Sequence, residues 1–201
     1  MNTVSLLKEK FYSKPQSERR AVLMSGIFFI ICTLMGVFFH FAFKLLGGYA
    51  WLAPFVPVNE SIWEHLKLIF VPYILFLMPI EYFLYGRHLK RFVSSRLIGV
   101  IAAMSFVVME FYTIKGAFGE PPAAVNIIIY CIATLIAYII PLFVASHARG
   151  DDTPTVKFIS LVALAAIFAV FIAFTFYPPK LPLFLDPTGA GYGYYMFDKQ
   201  L

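Results

Sequence analysis

Charge is the first thing this 201-residue chain has little of. Asp, Glu, Lys and Arg together make up 13% of it, about half the share of an ordinary soluble domain. The net charge of +5 comes from scattered residues. No Gly-rich phosphate loop is present, and the basic residues are not interleaved into a single-strand groove, so nucleic acid is excluded as a partner. Cysteine is scarce too. Cys32 and Cys131 form no C-x-x-C pair, which excludes a zinc knuckle or a thioredoxin-like centre. There is no H-E-x-x-H, and no Ser-His-Asp arrangement can be read. The sequence assigns no metal ligands, and any cofactor stays unknown. Long alternating runs punctuated by turns are missing, which argues against a β-barrel. A secretory leader is not expected either. Twenty mostly polar residues precede an apolar run too long for a signal core.

Apolar residues are abundant. They make up 61% of the chain, with Phe alone occurring 23 times, and the mean hydropathy is +0.81. A hydrocarbon core about 30 Å thick needs roughly 20 helical residues. Five stretches qualify: about Ala21 to Leu46, Ile62 to Tyr85, Leu97 to Phe118, Ala123 to Ser146 and Phe158 to Tyr177. The expected fold class is all-α, a polytopic transmembrane bundle of five spans in one membrane domain. Residues 1–20 are then a basic cytoplasmic segment, 21–177 the bundle and 178–201 an extracytoplasmic tail. In "VSLLKEKF", Val4, Leu7 and Phe11 share a helical face, which fits a short helix lying on the membrane surface; a disordered basic tail fits as well.

Basic residues stay on the cytoplasmic side of bacterial-type membranes. Alternate segments hold eleven of them on one side, among them Arg87, Lys90, Arg91, Arg96 and Arg149, and five on the other. The N-terminus is therefore expected inside and the C-terminus outside, in the cell (inner or plasma) membrane with the lipid bilayer as solvent. Ala165, Ala169 and Ala173 form a small-xxx-small row that suits close helix approach, and Gly99 and Ala103 a shorter one. Pro72, Pro79 and Pro141 interrupt spans, and neighbours must satisfy the carbonyls they free.

The polar residues concentrate in "PVNESIWEHLKL", residues 57–68. Ser61 and Glu64 form S-x-x-E, a capping box. Capping does not explain Glu60, His65 or Lys67. At about 100° per residue, Asn59, Glu60, Trp63, Glu64 and Lys67 fall within one arc, with His65 on another flank. At about 1.5 Å per residue, Glu64 lies near the outer edge of the hydrocarbon, Lys44 at a similar level and His40 one turn deeper. Glu110 lies only about 5 Å outward of the bilayer centre, where carboxyls usually serve function. The expectation is a polar funnel: Glu60, Glu64 and Lys67 at the lip, His40 and His65 below, Glu110 at the base. Glu81 is read as a snorkelling or structural group. In "DPTG", Asp186 begins a type I turn, and this tail could fold over the funnel as a lid, with the 47–58 loop opposite.

The block "PVNESIWEHLKL" and the later "DPTGAGYG" resemble an uncharacterised family of small bacterial multi-pass membrane proteins, a domain of unknown function. The matching positions are Asn59, Glu60, Trp63, Glu64, His65 and Lys67, then Asp186, Pro187, Gly189, Tyr192 and Gly193. The resemblance implies a fold and a shared outer site, not a reaction. Three functions stay open. The first is a small proton- or ion-linked carrier, since intramembrane carboxyls and histidines build proton relays; with no inverted repeat it would need a homo-oligomer. The second is an outward-facing enzyme on a lipid or envelope substrate, with Glu and His as acid and base or as metal ligands. Glu64 and Glu110 differ in depth by roughly 10 Å, too far for one metal. The third is an assembly subunit that docks a partner.

Overall fold

The computed structural model describes residues 4, 12, 16–189 and 191–194. The expected surface helix over residues 4–11, all but Val4, lies outside the described residues. Five long helices follow: α1 (Gln16–Leu45), α2 (Ile62–Leu84), α3 (Phe92–Phe118), α4 (Ala123–His147) and α5 (Pro154–Phe176). Each contains a stretch long and apolar enough to cross a membrane. The chain is therefore a multi-pass helical membrane protein. A two-stranded antiparallel hairpin closes the described chain, β1 (Leu185–Asp186) with β2 (Gly191–Tyr192).

Three helices begin before their apolar stretch does: α1 at Gln16, α3 at Phe92 and α5 at Pro154. Hydropathy marks where a helix meets lipid; caps mark where it starts. The 151–153 loop supplies caps for two of them. Asp152 accepts from Ser94 N (3.1 Å) and Ser94 Oγ (2.5 Å), and Asp151 from Arg91 N (3.1 Å). Thr153 Oγ1 accepts from Val156 N at 3.3 Å. Carboxylates suit the positive end of a helix dipole.

The early start of α3 corrects the expectation that Arg96 is a loop cation. It is fully buried. Its Nη2 donates to Glu81 Oε2 at 2.5 Å and to the Tyr85 hydroxyl at 3.0 Å. The guanidinium also lies over the rings of Phe92, Tyr73 and Tyr138, at 4.7, 5.5 and 5.9 Å, where ring quadrupoles attract it. Glu81 is thus a buried counter-ion and does not reach the interface. Burial pushes the Tyr85 hydroxyl up to about 12, against the opposing pull of Arg96.

Pro141 acts as expected, through a neighbour. The second span changes pitch: α-helical over Ile62–Phe70, a π-helix over Val71–Leu77, then α-helical over Met78–Leu84. Met78 N reaches Tyr73 O, five residues back. Pro141 has no N–H for the carbonyl of Ala137, and the Tyr73 hydroxyl donates to it instead, at 2.6 Å. At Gly99 α3 comes so close to α4 that a Cβ there would sit 2.8 Å from that same carbonyl. Ala103, Ala133 and Ala137 are fully buried in the surrounding core. The other small-residue row fails as a packing row within the bundle. Ala165, Ala169 and Ala173 are exposed, and α5 buries Ser160, Leu164, Phe171 and Thr175 instead.

Candidate functional site

The polar block does cap a helix, but in its own way. Ser61 is the N-cap of α2 and its Oγ accepts from Glu64 N at 3.3 Å. In a capping box the glutamate would reach back to the cap's own N–H. Here Asn59 Oδ1 takes the Ser61 N–H (2.9 Å), and the Glu64 carboxylate is freed to accept from Val58 N (3.0 Å). Because the helix starts at Ile62, Asn59 and Glu60 precede it. The single arc expected for Asn59, Glu60, Trp63, Glu64 and Lys67 does not form, and the block faces two ways.

One side is a closed lock. Glu64 and Lys67 are buried, not at the lip of a funnel. Lys67 Nζ donates to Glu64 Oε2 (2.6 Å), Ala53 O (2.8 Å) and Thr175 Oγ1 (2.5 Å). An ammonium has three donors, and all three are used. Thr175 Oγ1 donates to Glu64 Oε1 at 2.9 Å. Beside the lock, Trp63 packs on Phe171, Phe174 and Phe184, with ring centroids 4.9, 5.5 and 4.9 Å away. The tail docks here. Asn59 Nδ2 donates to Gly193 O (3.0 Å) and Tyr194 N to Thr175 O (2.7 Å). Gly193 adopts φ 63°, and a Cβ there would lie 2.7 Å from the Thr175 carbonyl. Only glycine takes both the left-handed backbone and that approach without strain.

The other side is open and titratable. Glu60 Oε2 lies 3.5 Å from His65 Nε2 and 3.9 Å from His40 Nε2. Lys44 Nζ lies 3.7 Å from the other oxygen, Oε1. All of Glu60, His40 and His65 are half-buried. The two imidazoles approach at 5.2 Å between centroids. His65 Nδ1 lies 2.8 Å from the Ser61 carbonyl. A carbonyl only accepts, so Nδ1 carries a hydrogen, and in the neutral ring Nε2 is then the nitrogen with the lone pair. His65 was expected on a separate flank; it joins Glu60 because Glu60 lies before the helix and turns back over its first turn.

This group borders a cavity of about 730 Å³. Its walls are apolar along the spans, with Leu68, Ile69, Val107, Phe111 and Ile129. Glu60, His65, Lys44, Lys115 and Asn126 supply polar groups. The tail contributes Pro182, Leu185, Pro187 and Thr188 to the lining. The 47–58 loop packs elsewhere: Leu52, Ala53, Val56 and Val58 form a second small core with Tyr194.

Two expected site residues stand apart. Asp186 is buried and serves the turn, accepting from Thr188 N (2.8 Å) and Thr188 Oγ1 (2.7 Å). Glu110 is half-buried, makes no hydrogen bond or ion pair among the described residues and does not line the cavity. The structure does not join it to His40, so the funnel has no carboxyl at its base. Sequence reasoning also missed Thr175. Thr175 looked like one hydroxyl in an apolar span, and only its partner Lys67 reveals it. It missed His40, Glu60 and His65 as one set of donors within 4.8 Å of one another. The i, i+5 spacing of Glu60 and His65 gave no signal, because it matches no helical face.

No curated protein and no solved structure matches the chain. The one identification comes from a family model. It matches residues 11–194, nearly the whole chain and every residue of the arrangement just described. The chain belongs to DUF6512, a family of unknown function.

Proposed function

We propose that this protein is a membrane enzyme that binds a lipid-like amphiphile with an anionic head at the extracytoplasmic surface. The cavity carries the reading. Its apolar walls continue the bilayer, Lys44 and Lys115 line it in ion pairs with Glu60 and Glu120 for which an anionic head group would compete, and Glu60 and His65 stand on its wall as acid–base groups. The orientation rests on the basic residues. With buried Arg96 and Lys67 set aside, seven of the described basic residues flank one end of the bundle and three the other. Glu60, His40 and His65 sit at the end with fewer.

A carrier reading has less support. Beyond the cavity the bundle is packed with buried Val71, Tyr73, Val100, Ala103, Ala133 and Ala137, and Glu110 offers no relay to the outer groups. An assembly role would rest on the exposed Ala165, Ala169 and Ala173 row of α5, which suits a second helix but involves none of the polar groups.

A photoactivatable anionic phospholipid in reconstituted vesicles tests the proposal. Crosslinks should map to peptides around Phe111 and Ile129. Ile129 is 6% exposed and Ile128 is 57% exposed. Ile129→Trp fills the cavity and should suppress the crosslink; Ile128→Trp, on the lipid face, should not. Equal labelling of both variants would remove the cavity as the binding site.

A further inference from the structure

We infer that His40, Glu60 and His65 form a binding site for a divalent transition metal of the zinc type, with an open position facing the cavity. The three donor atoms come from α1, the turn before α2, and the first turn of α2. Tetrahedral zinc with bonds of about 2.0–2.1 Å holds neighbouring donors roughly 3.3 Å apart. Glu60 Oε2 already stands 3.5 Å from His65 Nε2 and 3.9 Å from His40 Nε2. The third pair, the two imidazole nitrogens, lies within 4.8 Å, so side-chain rotation that closes up to about 1.5 Å brings all three donors to tetrahedral spacing.

Three further observations point to a ligand set and not to a mere cluster of polar groups. His65 donates its Nδ1–H to the Ser61 carbonyl at 2.8 Å, the backing that orients metal-bound imidazoles and leaves Nε2 free. That carbonyl belongs to the helix cap and cannot drift, since Ser61 is held by Asn59 and Glu64. Lys44 occupies Glu60 Oε1, so the carboxylate presents Oε2 alone. Two imidazoles and one carboxylate suit zinc and its neighbours; magnesium and calcium prefer all-oxygen sets. The same donor set with a fourth position left to water is a known catalytic pattern, and such a water titrates near pH 7. Here Glu60 and His65 line the cavity, so that position opens onto it. The buried alternatives are closed. Lys67 has spent its three donors on Glu64, Ala53 and Thr175, and Glu81 is paired with Arg96.

This inference deepens the proposed enzyme by giving its cavity wall a metal, yet it is tested with the metal alone. Full-length protein in detergent, stripped with chelator, is titrated with cobalt(II) and then zinc(II). One equivalent of cobalt should bind with intense visible bands of tetrahedral type, and zinc should displace it. His40→Gln, Glu60→Gln and His65→Gln should each weaken zinc binding at least about tenfold. Glu110→Gln, at a carboxyl that stands apart from the three donors, should keep both stoichiometry and affinity. Thermal unfolding of the metal-free variants checks that they fold. Where a variant fails to fold, X-ray absorption at the zinc edge of the wild type decides: imidazole scattering supports the site and its absence overturns it. Binding below one equivalent, or unchanged in all three Gln variants, also overturns it. Loss of lipid crosslinking with zinc binding intact would fault the substrate reading and spare the metal site.

Discussion

Two glutamates four residues apart show how context assigns a role. Glu60 and Glu64 are chemically identical, but Glu60 precedes the helix and faces two imidazoles, whereas Glu64 points inward to an ammonium with no donor to spare. A buried pair that is fully satisfied costs little to keep and much to break. Removing one partner leaves an uncompensated buried charge, worth about 3–5 kcal/mol. Lys67→Met and Glu64→Gln should therefore each destabilise the protein by about that amount. The Lys67→Met, Glu64→Gln double variant should lose clearly less than the sum of its singles. Chemical unfolding of purified protein in mixed micelles measures both. Strict additivity would show that the two side chains do not share one network.

At the scale of elements, the packing of α2 on α4 turns on one missing hydrogen. Pro141 leaves the Ala137 carbonyl without its helical donor, and the Tyr73 hydroxyl supplies the replacement. Tyr73 lies within the π-helical segment Val71–Leu77, and its own carbonyl accepts from Met78 N. Tyr73→Phe should cost about 1–3 kcal/mol, the penalty of a buried carbonyl left unpaired. Pro141→Ala restores an N–H to the same carbonyl, so it should recover part of the loss in the Tyr73→Phe background. Thermal unfolding of the two single variants and the double variant checks this. A rescue of zero would mean that Tyr73 stabilises by packing alone.

For the whole molecule, the two ends of the bundle are built differently. At one end short loops are stitched by backbone caps, with Lys90 donating to the Ala148 carbonyl (3.3 Å) and Asp151 accepting from Arg91 N. At the other end a long loop and the tail lie against the lock, and the tail lines part of the cavity. The orientation proposed from the basic residues places that second end outside. Both native cysteines lie in spans, so single cysteines report cleanly. Glu120→Cys and Lys180→Cys should react with an impermeant maleimide on intact cells, and Arg91→Cys should react only after lysis. Labelling at position 91 from outside would reverse the orientation and place the cavity in the cytoplasm.

Class and span count were readable from composition and run length, because lipid imposes a minimum apolar length on any helix that crosses it. Helix boundaries were less so: apolar runs report contact with lipid, and α3 begins on a turn capped by Asp151 and Asp152, which belong to a loop some sixty residues later. The block from Asn59 to Lys67 stood out as the polar centre from its density of charge alone. What it does depended on partners that no spacing rule links to it. Thr175 and Ala53 close around Lys67, Gly193 reaches back to Asn59, and His40 arrives from the preceding helix to meet Glu60 and His65. Local sequence sets propensity and the cap; which carboxylate is sealed and which stays open is decided by long-range packing, since desolvation depends on every chain segment that comes to lie against the group.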